Sequence, residues 1–182
     1  DEDGSPIAGI PFKITSVETN ESAVIVTDEN GYASTASSHN PHTQKTNEGT
    51  DATCGVWFRD EVAINDDVGA LPLGSYIVEE QICEANYGKK ILDPIAVEIT
   101  ENAVTVQLGD LENKTIRIGT KSISRSTNTH LVPVSDSEDV TDTISYENLT
   151  VGKEYTFKGK IVDKATGDVI GTGELTFTAK DT

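Results

Sequence analysis

One acidic residue stands among the apolar positions of a predicted strand. Hydropathy alternates over residues 76–82, and one face of this strand carries Tyr76, Val78, Glu80 and Ile82. Because its other members are apolar, this face is predicted to be the inner one and to bury Glu80. A carboxyl among apolar side chains is a candidate for carrying protons between neighbouring groups. The opposite assignment stays open: if the other face is the inner one, Glu80 is a solvated residue.

A hydroxyl and a second carboxyl occupy comparable positions on two later segments. Thr120 shares a face with Ile116 and Ile118, so its hydroxyl is predicted to point inward, as a buried nucleophile would. Asp142 shares a face with apolar residues of the segment 140–146 and is predicted to be a buried acid. An ordinary strand threonine and a turn aspartate fit the same pattern equally well.

The segments that must position these residues are short and alternate in hydropathy, with no helical period. Strands are predicted at residues 10–16, 23–27, 32–35, 76–83, 94–100, 103–108, 115–120, 130–134, 140–146, 153–163 and 174–179. Turn sequences interrupt them, among them Asp28–Gly31 and Asp163–Asp168. This spacing predicts an all-β fold of the β-sandwich type.

A phrase that occurs twice predicts two modules of one architecture. Residues 71–80 read LPLGSYIVEE and residues 149–158 read LTVGKEYTFK, with Leu and Gly at equal spacing and a Tyr two or three residues after the Gly. The shared glycines, Gly74 and Gly152, are 78 residues apart, which is the size of a small β-sandwich.

The modules are predicted at residues 1–113 and 114–182. The second ends directly after a strand and is therefore expected to be incomplete. Residues 37–70 form a polar insertion in the first module, too long for a plain connector, with Trp57 near its middle. An exposed Trp57 would favour a binding surface, whereas a buried Trp57 would favour a structural cap.

The charge balance excludes two kinds of partner. The chain has 31 Asp and Glu against 14 Lys and Arg, a net charge of −17. Nucleic acid and anionic membrane surfaces both need clustered basic residues, so neither is an expected partner. No apolar run is long enough for membrane insertion. Met is absent and no signal peptide is present, so the chain is interpreted as a piece of a longer, exported protein.

Cys54 and Cys83 are the only cysteines, and they permit one disulfide in an exported protein. Two inert buried thiols are the alternative. Neither the cysteines nor the three histidines have the spacing of a zinc site, and no calcium loop is present. No metal or cofactor is therefore predicted. Hydrolase motifs are also missing, and the chain is not expected to be an enzyme.

The sequence DEDGSPIAGIPFKI is followed by TDENGYAS and then by LPLGSYIVEE. This order resembles the CnaB-type, SpaA-like prealbumin-fold domains of Gram-positive pilins and adhesins. Residues 115–182 contain IGT and DTISYENLTVGKEYTFKGKIVDKATG, which resemble the start of the ester-crosslinked, VaFE-type repeats of sortase-anchored surface adhesins. The resemblance implies tandem immunoglobulin-like (prealbumin-like) β-sandwich modules. It also implies an extracellular location, with cell-wall anchoring through a region outside this chain.

CnaB-type domains are known for a spontaneous Lys–Asn isopeptide bond promoted by a buried acid. The resemblance implies that Glu80 is the promoting acid and that Asn113, in the sequence LENK, supplies the amide. A turn or boundary asparagine is the alternative for Asn113. The family's lysine precedes the point at which this sequence begins, and alternation places Lys13 opposite the face of Phe12 and Ile14. The lysine is therefore expected outside this chain.

Ester-forming modules join a first-strand Thr hydroxyl to a last-strand Gln amide, with acids and a His assisting. This resemblance implies that Thr120 is the nucleophile and Asp142 an assisting acid, with the Gln beyond Thr182. The implied function is a crosslinked stalk whose partners are neighbouring modules of the same protein. The alternative is a ligand-binding module that contacts a host surface protein or glycan through residues 37–70.

Overall fold

A computed structural model describes residues 1–36, 38–40, 47, 49–50, 55–58, 71–131 and 137–180. These residues form eight strands and no helix: β1 Pro11–Ser16, β2 Ser22–Val26, β3 Gly74–Glu80, β4 Ile95–Ile99, β5 Arg117–Ser124, β6 Val140–Glu147, β7 Glu154–Val162 and β8 Val169–Thr178. All strand pairs are antiparallel, which confirms the all-β prediction and fits a β-sandwich. A helix with the length and apolarity to cross a membrane is not found within the described ranges.

The chain divides into two compact units, residues 1–115 and 116–182. The first unit holds a four-stranded sheet in the order β2-β1-β3-β4. Ile14 of β1 lies opposite Ala23 of β2 on one side and Val78 of β3 on the other. This register aligns the apolar positions of three strands on one face, which is what the alternating patterns require.

The core of the first unit lies on that face of the sheet. Its strand residues are Phe12, Ile14, Ala23, Ile25, Tyr76 and Val78. Val56 and Phe58 from the insertion pack against them, and the Phe58 ring meets the Tyr76 ring edge-on at 5.6 Å. Trp57 is buried as well, with 5% of its surface exposed. The described part of the insertion is therefore a cap over the sheet.

The turn after β2 forms as predicted, but the strand expected at residues 32–35 does not. Asp28 accepts backbone N–H groups of Asn30 and Tyr32 on its Oδ1, and its carbonyl accepts the N–H of Gly31. These local bonds compete with a strand ladder, so the chain leaves the sheet after the turn.

The strand predicted at residues 103–108 is also absent. Val104, Val106 and Leu108 alternate as expected but are 49%, 42% and 39% exposed. No described residue makes a hydrogen bond with the backbone of residues 103–112. Alternation selects the faces of a strand, but a strand forms only where a neighbour completes its ladder.

The second unit holds two hairpins, β5–β6 and β7–β8. The turn at Asp163–Asp168 joins β7 to β8, as predicted. Backbone N–H groups of Thr166 and Ala165 donate to Asp163 Oδ1 at 2.9 and 2.7 Å, and they lower the pKa of that carboxyl. Gly167 closes the turn with a φ of 80°, a conformation that glycine adopts without strain.

Gly31 is expected to be intolerant of a side chain. Its φ is 70°, and an added Cβ would lie 3.0 Å from the Pro6 Cβ and 3.2 Å from the Ile7 nitrogen. Gly31→Ala should therefore combine a left-handed backbone penalty of about 1–2 kcal/mol with a crowding penalty of about 1–3 kcal/mol. Gly88→Ala is the matched control, because its φ is 77° and no atom lies within 4 Å of the added Cβ. Equal urea midpoints for the two variants would contradict the crowding argument.

Candidate functional site

Glu80 is the last residue of β3, and it is buried with 6% of its surface exposed. Tyr76 and Val78 are buried on the same face, as the alternation predicts. Ile82, predicted on that face too, is exposed because β3 ends at Glu80 and the alternation ends with it. The carboxyl therefore lies at the inner edge of the sheet, where the chain turns away.

Both oxygens of the Glu80 carboxyl accept hydrogen bonds from N–H groups. Oε1 accepts from Asn86 Nδ2 at 2.8 Å and from Asn113 Nδ2 at 2.9 Å. Oε2 accepts from the Leu92 backbone at 2.8 Å and again from Asn113 Nδ2 at 2.9 Å. Glu80 and Asn113, which the CnaB-type resemblance pairs across 33 positions, are thus in direct contact.

Asn113 is held from its other side by a short strand-like pairing. Its Nδ2 also lies 3.2 Å from the Lys90 carbonyl, and the Lys90 N–H donates to the Lys114 carbonyl at 2.8 Å. Lys89 and Thr115 form an isolated antiparallel bridge next to this contact. Asn113 is 5% exposed, and no described residue donates to its Oδ1. The side-chain amide of Asn113 is therefore held through its nitrogen, whereas its oxygen accepts no hydrogen bond from a described residue.

Asn86 belongs to the same cluster, although nothing in its sequence context distinguishes it from a turn asparagine. It is 1% exposed. Its Nδ2 donates to the Gln81 carbonyl at 2.8 Å as well as to Glu80, and its Oδ1 accepts the Cys83 N–H at 2.8 Å. The only sequence signal was the turn-forming stretch Ala85–Gly88, which follows a strand that ends in an acid.

No cation is in contact with Glu80 among the residues described. The Lys89 ammonium binds Asp1 Oδ2 at 2.7 Å, and Lys13 lies on the opposite side of β1, across from Glu79. Thr115 donates its backbone N–H to Glu2 Oε2 at 3.2 Å, so residues 1–2 lie beside the segment that carries Asn113. A surface pocket of about 140 Å³ adjoins the cluster and is lined by Lys90, Ile91, Leu92, Asp93, Glu112 and Lys114.

The second predicted pair behaves differently, and its predicted burial is wrong. Thr120 and Asp142 are both exposed. Alternation placed them on the apolar face of β5–β6, where Tyr146 contacts Phe177 of β8 but Ile118 is exposed as well. The register puts Thr120 opposite Ile144 and Ser122 opposite Asp142, so the two predicted residues share a face at neighbouring positions.

Ser122 is the direct partner of Asp142, and the sequence reasoning missed it. Its Oγ donates to Asp142 Oδ1 at 3.0 Å. The His130 ring nitrogen Nδ1 lies 2.7 Å from the Ser122 carbonyl oxygen. Alternation identified the face on which these groups lie, but only the strand register shows which hydroxyl meets the acid.

The remaining candidates do not form a second site. Cys83 is half-buried, and its thiol lies 3.6 Å from the Gly9 carbonyl. Cys54 and His42 lie outside the described residues, so the predicted disulfide between Cys54 and Cys83 stays a prediction. Within the described part of the chain, no group of three or more His, Cys, Asp or Glu side chains is arranged to hold a metal.

Comparison with known proteins gives one match. Residues 116–182 match the family of the T-Q ester bond containing domain, over about a third of the chain. No curated protein and no solved structure matches the chain. The match supports an ester-crosslink domain in the second unit, as the resemblance of residues 115–182 predicted. The CnaB-type resemblance of the first unit stays a prediction.

Removing the Glu80 carboxyl is expected to destabilise the first unit. Glu80→Ala removes the carboxyl acceptor of the N–H groups of Asn86, Asn113 and Leu92, at about 1–3 kcal/mol for each group. We expect the free energy of unfolding to fall by at least about 3 kcal/mol in urea titrations. Glu79→Ala, the neighbouring acid on the other face, should change it by less than about 1 kcal/mol. Similar losses in the two variants would contradict the cluster's role in stability.

Proposed function

We propose that the chain is a structural stalk segment of a Gram-positive cell-surface adhesin or pilin-like protein, stabilised by autocatalytic intramolecular crosslinks. The match of residues 116–182 to an ester-bond domain carries this proposal. The buried contact between Glu80 and Asn113 supports a second crosslink, of the isopeptide type, in the first unit.

The isopeptide step joins a lysine amine to the side chain of Asn113. The neutral amine attacks Cγ of Asn113, the Cγ–Nδ2 bond breaks, and ammonia leaves. Glu80 carries a proton from the attacking amine to the departing Nδ2, with which it already shares two hydrogen bonds. Holding the amide and the acid in contact replaces an intermolecular encounter.

The lysine is proposed to arrive on a strand that precedes Asp1 in the whole protein. Asn113 directly follows residues 103–112, and no described residue pairs with the backbone of that segment. Glu2 contacts Thr115, so a segment leading into Asp1 would reach the same edge. A strand added there would cover Val104, Val106 and Leu108 and would bring its side chains towards the Glu80 cluster.

The ester step in the second unit joins the Thr120 hydroxyl to a glutamine from a later strand. The Thr120 oxygen attacks the glutamine Cδ, the amide C–N bond breaks, and ammonia leaves with the hydroxyl proton. Asp142, on the same strand face, is the proposed assisting acid. Because Thr120 is exposed in this chain, the reaction needs further residues of the module to cover this face and exclude water.

These bonds would make the segment mechanically resistant. A covalent link between the first and last strands of a module carries a pulling force past the hydrogen-bonded sheet. Each bond forms once and acts on the protein itself, so we propose that the chain is not an enzyme. Its proposed setting is extracellular, anchored to the cell wall through a region outside this chain, with neighbouring modules as partners. An exposed Trp57 would have favoured a binding surface around it, but Trp57 is buried.

The isopeptide bond is tested by the intact mass of the whole natural protein. Each crosslink lowers the mass by one ammonia, so Glu80→Ala and Asn113→Ala should each restore one ammonia mass beyond the substitution itself. Glu79→Ala is the matched control and should leave the deficit unchanged. A tryptic peptide that links Asn113 to a lysine identifies the bond. A whole protein with no deficit at Asn113 would overturn this crosslink.

The ester bond is tested by its chemical lability. Hydroxylamine cleaves esters and leaves isopeptide amides, so it should open the link at Thr120 and spare the link at Asn113; the Asn30–Gly31 peptide bond, which it also cleaves, is recognised by its fragment masses. Thr120→Ala should restore one ammonia mass, whereas Ser122→Ala should keep the bond and slow its formation, because Ser122 holds Asp142. A bond that survives Thr120→Ala and is lost in Ser122→Ala would show that Ser122 is the nucleophile.

A further inference from the structure

We infer that Asn86 is a positioning residue for the proposed reaction between Glu80 and Asn113. The inference rests on the proposed isopeptide function and deepens it. Asn86 is the most deeply buried member of the cluster, at 1% exposure, and neither the resemblance nor the alternation assigns it a role. Its side chain donates to Glu80 and makes no hydrogen bond with Asn113, the proposed electrophile.

The hydrogen bonds of Asn86 fix the orientation of its amide. Nδ2 faces two acceptors, Glu80 Oε1 and the Gln81 carbonyl, each at 2.8 Å. Oδ1 faces a donor, the Cys83 N–H, also at 2.8 Å. Exchanging the nitrogen and oxygen would set acceptor against acceptor twice and donor against donor once. The amide therefore has one orientation, and in that orientation it donates to Glu80.

The two asparagines on Glu80 differ in a way that separates their roles. The Asn86 carbonyl oxygen is occupied by the Cys83 N–H. The Asn113 carbonyl oxygen has no donor among the described residues, so it is open to a donor that could arrive with the attacking amine and stabilise the negative charge that develops there. Asn113 is therefore the amide that reacts, and Asn86 is the amide that holds the acid.

Each Glu80 oxygen has its own anchor outside Asn113. Asn86 ties Oε1 to the loop of residues 81–86, and the Leu92 N–H ties Oε2 to the next loop. With both anchors in place the carboxyl presents both oxygens to Asn113 Nδ2, the atom that must leave with a proton. Without Asn86 one anchor is lost, and the carboxyl can turn away from the leaving nitrogen.

The first test uses the whole natural protein, with crosslinking at Asn113 followed by mass after synthesis. Asn86→Ala should slow bond formation on the order of 10- to 100-fold, since small misplacements of reacting groups have effects of that size. Tyr87→Ala is the control, because Tyr87 is the next residue of the loop and is exposed; it should leave the rate unchanged.

Asn86→Asp keeps the shape and tests the hydrogen bond itself. The new carboxyl would still accept the Cys83 N–H, but its second oxygen would face Glu80, the one charged group that contacts this position among the described residues. Only its protonated form can donate to Glu80, so crosslinking should be slow at neutral pH and recover as the pH falls. A purely structural role for Asn86 would give a rate defect without this recovery.

A second readout is independent of crosslinking. In residues 1–182 alone, which lack the proposed lysine, Asn86→Ala should speed hydrogen exchange of the Asn113 side-chain NH₂ at least about 10-fold. If the wild-type protein forms no bond, the proposed function fails, and this exchange rate alone decides whether Asn86 positions the carboxyl. If the bond forms but Asn86→Ala changes neither its rate nor the exchange, the inference is wrong and the proposed function stands.

Discussion

The first unit is organised around one buried carboxyl that joins distant segments of its chain. Glu80 is the last residue of β3. Its two carboxyl oxygens accept hydrogen bonds from the side chain of Asn86, the backbone N–H of Leu92 and the side chain of Asn113. A buried acid is tolerated only when such donors surround it, because each lost partner leaves a polar group without water. The core of the sheet supplies the apolar cover, and the loops supply the donors.

The two candidate sites differ in the burial of their residues and in the contacts between them. Around Glu80 the acid and the amide are already in contact and buried, and the proposed bond would need only an amine. In the second unit the Thr120 hydroxyl and the Asp142 carboxyl share a strand face that stays open to solvent. The difference follows from packing: Val56 and Phe58 of the insertion and several loop residues close over the first sheet, whereas on the β5–β6 face Phe177 contacts Tyr146 but Ile118 and Thr120 stay exposed.

The sequence predicted the parts of this arrangement that depend on local pattern. Alternation placed Glu80 correctly on the buried face, since a strand with one apolar face has only two choices. It placed Thr120 on the correct face but predicted its burial wrongly, because burial also needs a covering layer that the pattern cannot supply. Residues 103–108 alternate without a ladder for a related reason. Asn86 was beyond prediction, because its role arises from a loop folding back onto β3 and leaves no periodic signal.

Under the proposed function, bond formation depends on completion of the sheet. The backbone of residues 103–112 has no partner among the described residues, and the strand proposed to fill that place is also the one that carries the amine. An amine in water is protonated and unreactive, and it loses its proton only when docking of its strand desolvates it next to Glu80. Unpaired or misregistered strands would therefore stay unlinked, because the reaction needs the amine, Glu80 and Asn113 in contact at once. The irreversible step would then lock only the correctly folded module, which a stalk under tension requires.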